Sequence, residues 1–266
     1  HLAAQALVSE SYKAPVDTFQ TNLIGSINVL NAIRFSSQIK SLVMITSDKC
    51  YYNKEIKRGY KENDVLGGDD PYSASKASAE LAFNSYRKSF FLKRKIGVAT
   101  ARAGNVIGGG DWSEDRIIPD FIRSIKLKNP FFVRSPNSVR PWQHVFDLLN
   151  GYLILGMELY KKPLKFSGCW NFGPNNKKDL KVIEIKNYLN HKMKINKKII
   201  FRAEKNLKET KFLKLISNKS KKKLKWRTKL NTYQALDLTA EWFNAYLTKK
   251  NIIYLSKKQI NKFFHD

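Results

Sequence analysis

The residues best suited to move protons lie between Met44 and Lys76, in the stretch MITSDKCYYNKEIKRGYKENDVLGGDDPYSASK. Tyr72 and Lys76 stand four residues apart, and residues at i and i+4 of a helix share a face. A lysine ammonium close to a phenol favours the phenolate, a route to a base that works near neutral pH. Ser47, Asp48 and Lys49 follow directly on Ser41–Ile45, a short apolar run with strand character. A Ser-Asp-Lys cluster at a strand end, facing a Tyr/Lys pair, would form a proton-transfer site. Each half has a plainer reading when taken alone. A Tyr-x-x-x-Lys spacing occurs by chance on many helices, and Ser47 with Asp48 could simply cap the segment that follows.

Positioning such groups requires strands and helices in alternation. His1–Ala4 reads as the end of a buried strand entering a loop of small residues. Residues 16–35 carry Phe19, Leu23, Ile27, Leu30 and Ile33 at near-helical spacing and predict a long amphipathic helix. Gly25 within it costs up to ~1 kcal/mol relative to alanine, so a close packing contact is expected there. Residues 53–71 lack periodicity, contain Gly67-Gly68-Asp69-Asp70-Pro71, and read as a loop at the mouth of a site. A helix over 72–91 and a buried strand over 96–101 follow, the strand ending in Arg102-Ala103-Gly104-Asn105. This order predicts an α/β fold, a doubly wound parallel sheet whose ligand crevice lies at the carboxyl ends of its strands. His1–Ala4, Thr46–Lys49 and Arg102–Asn105 would share that edge.

Beyond Gly110 the pattern changes. Helices are predicted over 121–128, 145–160, 180–191 and 231–250, with Phe131-Phe132-Val133 following the first and strands at 169–172 and 198–202. Residues 1–110 are therefore assigned to the doubly wound sheet, and residues 111–266 mainly to a smaller mixed substrate-binding lobe interleaved with it. His144 reads as a packed histidine, and Trp142, Trp170, Trp226 and Trp242 as core. The lysine run Lys221–Lys223 fits an ordinary helix end.

Composition narrows the classes. The 266 residues are 42% hydrophobic and 12% aromatic, which suits a globular core. No apolar run approaches the ~20 residues of a membrane helix. Two cysteines, Cys50 and Cys169, make no disulfide framework and fit a reducing cytoplasm. The net charge is +27, of which residues 1–150 carry +7 and residues 151–266 carry +20. A basic excess of this size could mark a nucleic-acid-binding module. The basic residues are dispersed among apolar and amide side chains, however, as on solvated faces, and no nucleic-acid partner is expected.

Several stretches in order carry a resemblance across nearly the whole chain: HLAAQ at His1, TSDKCY at Thr46, GGDDPYSASK at Gly67, ARAGNVIGGGDW at Ala101, DRIIPD at Asp115, RPWQHV at Arg140 and WNFGP at Trp170. Together they resemble the extended short-chain dehydrogenase/reductase family of NAD-dependent epimerases and dehydratases, and within it the branch that dehydrates CDP-glucose. The Lys of Ser47-Asp48-Lys49 points to that branch, because relatives acting on other nucleotide sugars typically carry an acidic residue there. Family members open with a strand and a Gly-x-x-Gly-x-x-Gly turn for the NAD pyrophosphate. His1 corresponds to the end of the fourth strand, so this sequence is expected to be a Rossmann-like fragment lacking its first strands, with the function belonging to the full-length protein.

The resemblance implies oxidation at C4 of CDP-D-glucose, loss of water across C5–C6 and hydride return to C6, giving CDP-4-dehydro-6-deoxy-D-glucose for dideoxysugars of surface polysaccharide. By the same carry-over Ser47, Asp48, Lys49, Tyr72 and Lys76 are catalytic. Ala3, Ala4, Tyr72 and Lys76 would meet NAD, while Asn105, Arg116 and Arg140 would meet the sugar nucleotide. No metal is implied. A homodimer through the 16–35 and 72–91 helices and a cytoplasmic location are expected. A nucleotide-sugar 4-epimerase of the same family is the alternative enzyme, and Asp48-Lys49 discriminates, since epimerases need no acid/base pair for elimination.

Overall fold

The computed structural model of the chain describes residues 1–56, 58–174, 179–201 and 213–265. Its helical start comprises α1 (Val8–Lys13), α2 (Pro15–Phe19) and α3 (Gly25–Phe35), the last two joined by a π-turn over Gln20–Ile24. Strand β1 (Ser41–Ile45) leads through a 3-10 turn, Asp48–Cys50, and a long loop into α4 (Pro71–Tyr86). Strands β2 (Gly97–Ala103) and β3 (Val106–Ile107) precede α5 (Ile117–Lys126). Short strands β4 (Phe131–Val133), β5 (Val139–Arg140) and β6 (Gln143–His144) lead into α6 (Val145–Lys161) and α7 (Pro163–Phe166). The remainder is β7 (Gly168–Phe172), β8 (Leu180–Lys181), α8 (Val182–Met193), β9 (Ile199–Phe201), α9 (Thr232–Leu247) and α10 (Ile252–His265).

The chain divides into two compact units. The first holds residues 1–104, 149–173 and 213–227. Its sheet is parallel in the order β1-β2-β7, with Ser41 opposite Gly97 and Ala99 opposite Gly168. Every residue of β2 is buried, as a central parallel strand covered on both faces requires. Successive side chains of β1 point to opposite faces. Leu42 and Met44 join Leu30, Ile33, Phe83, Phe91, Ile96 and Val98 in the core beneath α3 and α4, whereas Val43 faces Gly156 of α6. Beyond β1 the edge is paired once more: the His1 amine donates to the Val43 carbonyl at 2.8 Å, and Ile45 N–H to the His1 carbonyl at 3.0 Å.

The start of α4 is fixed by local chemistry. Pro71 occupies the first turn, and the Asp70 carboxylate accepts from Ser73 N–H at 2.9 Å and from the Ser73 hydroxyl at 2.6 Å, an N-cap that satisfies otherwise orphaned donors. Gly68 approaches Ser73 so closely that a Cβ would lie 2.4 Å from its side chain. The sequence GGDDPYS is thus a helix start as much as a loop.

The second unit holds residues 105–148, 174–212 and 228–266. Strands β3 and β6 pair in parallel, as do β4 and β9, and β5 pairs with β8 antiparallel. Its core gathers Phe121, Ile122, Phe131, Ile185, Leu236 and Phe243 from α5, β4, α8 and α9. Trp142, Trp170, Trp226 and Trp242 are all buried, as their sequence context suggested.

Three expectations are corrected. No close contact explains Gly25, since a Cβ there would meet only the Gln20 carbonyl at an ordinary 3.7 Å. It instead follows the π-turn, and its N–H donates to that carbonyl. Helix α1 lies where no helix was predicted, and the last helix is α10 rather than the one over 231–250. The predicted strand 198–202 is β9, with residue 202 outside the described residues. Among the described residues no helix is long and apolar enough to cross a membrane.

Close approach of α6 to the sheet gives a direct test. A Cβ on Gly97 would lie 2.5 Å from the Leu159 carbonyl oxygen, a backbone atom that no rotamer change can move. Gly97→Ala is expected to lower unfolding free energy by about 1–3 kcal/mol, read from urea titration of the first unit. An unchanged midpoint would refute the contact.

Candidate active site

Tyr72, Lys76 and Glu80 occupy successive turns of one α4 face, and all three are buried. The 3-10 turn Asp48–Cys50 packs against this helix. The first unit therefore brings together all five residues singled out for proton transfer. Ser47 and Asp48 are buried and Lys49 is half-buried. The Ser47 hydroxyl donates to Asp48 Oδ1 at 3.1 Å and accepts from Lys49 N–H at 3.2 Å, so Ser47 also caps the turn. The Lys76 ammonium sits 5.9 Å from the centre of the Tyr72 ring.

Burial brings Lys76 down from 10.5 to about 8, against the opposing influence of Cys50 and Glu80. An ammonium removed from water loses hydration, which disfavours its charged form. No hydrogen bond or ion pair to its Nζ is found among the described residues. Tyr152 of α6 is a further, half-buried phenol nearby, and its buried hydroxyl has no hydrogen-bond partner among the described residues. Burial and then the Tyr72 charge push it up.

Several residues that secure this arrangement were not singled out in the sequence. Glu80 and Arg102 form an ion pair at 2.7 Å with side chains 0% and 1% exposed. The Glu80 carboxylate also accepts from the hydroxyls of Thr46 at 2.5 Å and Thr100 at 2.9 Å. Arg102 donates to the Tyr51 hydroxyl at 2.7 Å and the Glu62 carbonyl at 3.0 Å, and Tyr51 donates onward to Asn171 at 2.8 Å. On the other flank, Asn22 donates to Ser75 at 2.9 Å and to the Gln5 carbonyl at 3.0 Å, and Gln5 N–H returns a bond at 2.8 Å. Ser75 donates to the Tyr72 carbonyl at 2.7 Å. The Ala3–Ala4 loop is thereby linked to the turn that carries Tyr72. Two signals were legible: Glu80 continues the Tyr72/Lys76 spacing, and Asn22 and Arg102 are polar residues inside apolar elements.

Ala3 is exposed and Ala4 half-buried. Asn105, Arg116 and Arg140 belong to the second unit. The Asn105 carbonyl accepts from Gln143 N–H at 3.2 Å, Arg116 pairs with Asp111 at 2.9 Å, and Arg140 donates to the Val139 carbonyl at 2.9 Å. His144 is buried, accepts from Phe146 N–H at 3.2 Å through Nδ1, and is lowered by burial to about 4. It is neutral at physiological pH, as a packed histidine should be. Among the described residues no cluster of His, Cys, Asp or Glu is arranged to hold a metal ion.

The geometry has known counterparts. Residues 1–239 match the family model described as GDP-mannose 4,6 dehydratase. CDP-glucose 4,6-dehydratase of Salmonella typhimurium is 39% identical over 99% of this chain and 75% of its own length. UDP-glucose 4-epimerase of Mycoplasma genitalium is 27% identical, covering 75% of this chain and 62% of that protein. Among solved structures, UDP-glucose 4-epimerase of Thermotoga maritima superposes with a TM-score of 0.80 at 22% identity, covering 93% of this chain and 77% of the other. A dTDP-glucose 4,6-dehydratase of Streptomyces venezuelae, crystallised with NAD bound, gives 0.76 at 19% identity over 94% and 73%. At those identities the structures share the fold.

Lys76 makes a titration prediction. Below about pH 8 it is protonated in both folded and unfolded chains. Between about 8 and 10.5 the unfolded chain holds the proton and the folded one releases it, so folding grows more favourable as pH rises. Measured by urea unfolding, the parent protein should gain stability relative to Lys76→Met across that window. Parallel pH profiles would refute it.

Proposed function

The chain belongs to the GDP-mannose 4,6-dehydratase family of extended short-chain dehydrogenases/reductases, and from that we propose that it catalyses NAD-dependent 4,6-dehydration of CDP-D-glucose. The observation that carries the reading is the Ser47-Asp48-Lys49 turn packed on the helix that presents Tyr72 and Lys76. The substrate follows from the similarity to the Salmonella enzyme.

The residues present suit the cofactor. A buried lysine whose three N–H donors have no partner among the described residues fits vicinal ribose hydroxyls, and the small side chains of Ala3 and Ala4 leave the neighbouring loop open. NAD, when bound, supplies a hydride acceptor for C4 and a donor for C6. Tyr72, supported by the positive charge of Lys76 and by Ser47, takes the proton of the sugar 4-hydroxyl. The resulting 4-ketone acidifies the C5 proton. Lys49 takes that proton or stabilises the enolate that develops. Asp48 protonates the departing 6-hydroxyl. Asn105 and Arg116 bind the sugar nucleotide, and Arg140 binds its diphosphate, since a guanidinium suits paired phosphate oxygens.

A homodimer through residues 16–35 and α4 is supported by apolar side chains left in water there: Val16 is 65%, Phe35 72% and Leu81 61% exposed. Leu81→Glu is expected to run as a monomer in sedimentation velocity, and an unchanged dimer would move the interface elsewhere.

Incubating the full gene product with CDP-glucose and NAD should yield a 4-ketosugar with alkali-induced absorbance. Tyr72→Phe should lower turnover about 10²–10⁴-fold. Asp48→Asn should retain oxidation at C4, read as NADH absorbance on mixing with CDP-glucose, while losing elimination. Interconversion of C4 epimers without loss of water would favour the epimerase and sink the dehydratase reading.

A further inference from the structure

We propose that Glu80 and Arg102 are positioning residues for this reaction, their buried pair holding the Thr46–Asp48 end of β1 in register with the Tyr72/Lys76 face of α4. The proposal deepens the dehydratase reading and rests on it. Glu80 lies one turn beyond Lys76 and two beyond Tyr72 on the same helix face. Its Oε1 accepts from Thr46 at 2.5 Å and from Arg102 Nε at 3.0 Å, while Oε2 accepts from Thr100 at 2.9 Å and Arg102 Nη2 at 2.7 Å. Thr46 immediately precedes Ser47. One carboxylate oxygen thus ties the turn bearing the candidate acid to the helix bearing the candidate base.

The far side of the guanidinium completes a clamp. Arg102 Nη1 donates to the hydroxyl of Tyr51, the residue directly after the Asp48–Cys50 turn, at 2.7 Å. The turn is therefore held before its first residue by Glu80 and after its last by Arg102. Stability alone is a poor reason for such a pair, because apolar replacements of buried ion pairs are often neutral or stabilising. A planar fork facing a carboxylate supplies direction to several groups at once, which apolar packing does not.

The same carboxylate acts on Lys76. The ionisable neighbours of that ammonium are Tyr72 and Glu80 on α4 and Cys50 on the turn, and Cys50 in turn faces Asp48, Arg102 and Cys169. Burial pushes the Cys50 thiol well above its ordinary value, so it carries no charge at neutral pH. Glu80, one turn from Lys76 on the same helix face, is then the negative charge within α4 that favours the ammonium.

Two measurements test the clamp, both on the full gene product. In ¹³C-methylated protein, with Lys76 assigned through Lys76→Arg, Glu80→Gln should lower the Lys76 midpoint by about one pH unit. An unmoved midpoint would remove Glu80 as counter-charge and overturn that half of the proposal. Thr46→Val and Thr100→Val each delete one hydroxyl bond to the same carboxylate and leave the ion pair in place. Thr46→Val should lower kcat for elimination about 10–100-fold with KM within about twofold, and Thr100→Val should stay within about twofold of the parent. Equal losses in the two variants, or none in Thr46→Val, would show a structural bond only and overturn the positioning role. Absence of dehydratase turnover in the parent would strike the functional reading alone, since the titration reads the pair without turnover.

Discussion

An ion pair sealed from water, Glu80 with Arg102, is the interaction on which the rest of the first unit depends. Each ion loses several kcal/mol of hydration on burial, and the loss is offset only if every lone pair and N–H finds a partner. Here the carboxylate accepts four hydrogen bonds and the guanidinium reaches Tyr51 and a loop carbonyl. These partners come from the end of β1, the middle of β2, the turn after β1 and the loop before α4. Four separate pieces of chain are therefore fixed by the need to satisfy two charges.

The candidate chemistry uses that constraint. A helix face pressed on a sheet would ordinarily be apolar, yet α4 presents Tyr72, Lys76 and Glu80 inward. Burial weakens the lysine's hold on its proton, and the carboxylate one turn away opposes that effect. The balance leaves the ammonium charged at neutral pH and close to its point of release. A phenol beside it is in the setting a general base requires. The flanking bonds from Gln5 through Asn22 and Ser75 to the Tyr72 carbonyl hold the same turn from the other side.

The second unit follows a different logic. Its short paired strands and the helices α5, α8 and α9 enclose an aromatic and aliphatic core, and its polar candidates Arg116 and Arg140 are half-exposed rather than sealed. There Arg116 pairs with Asp111, and Arg140 donates to the Val139 carbonyl.

The sequence by itself determined the strand–helix alternation from α3 to β2, though not α1 or α10. Short apolar runs marked β1 and β2, near-helical spacing marked the helix that contains α3, and the shared carboxyl ends of the strands located Thr46–Lys49 beside Arg102. It also singled out Tyr72, Lys76, Ser47, Asp48 and Lys49, because their spacing is local: two residues four apart on one helix, and three in a row at one strand end. Gln5, Asn22 and the Glu80–Arg102 pair were not singled out. Their partners lie 17, 53 and 22 residues away, separations at which no periodicity survives. Gly25 was misjudged for a related reason, since a π-turn is a backbone choice that side-chain patterning does not record. Only the tertiary structure decided which buried polar groups face one another, because that depends on how α4 is pressed against β1 and β2.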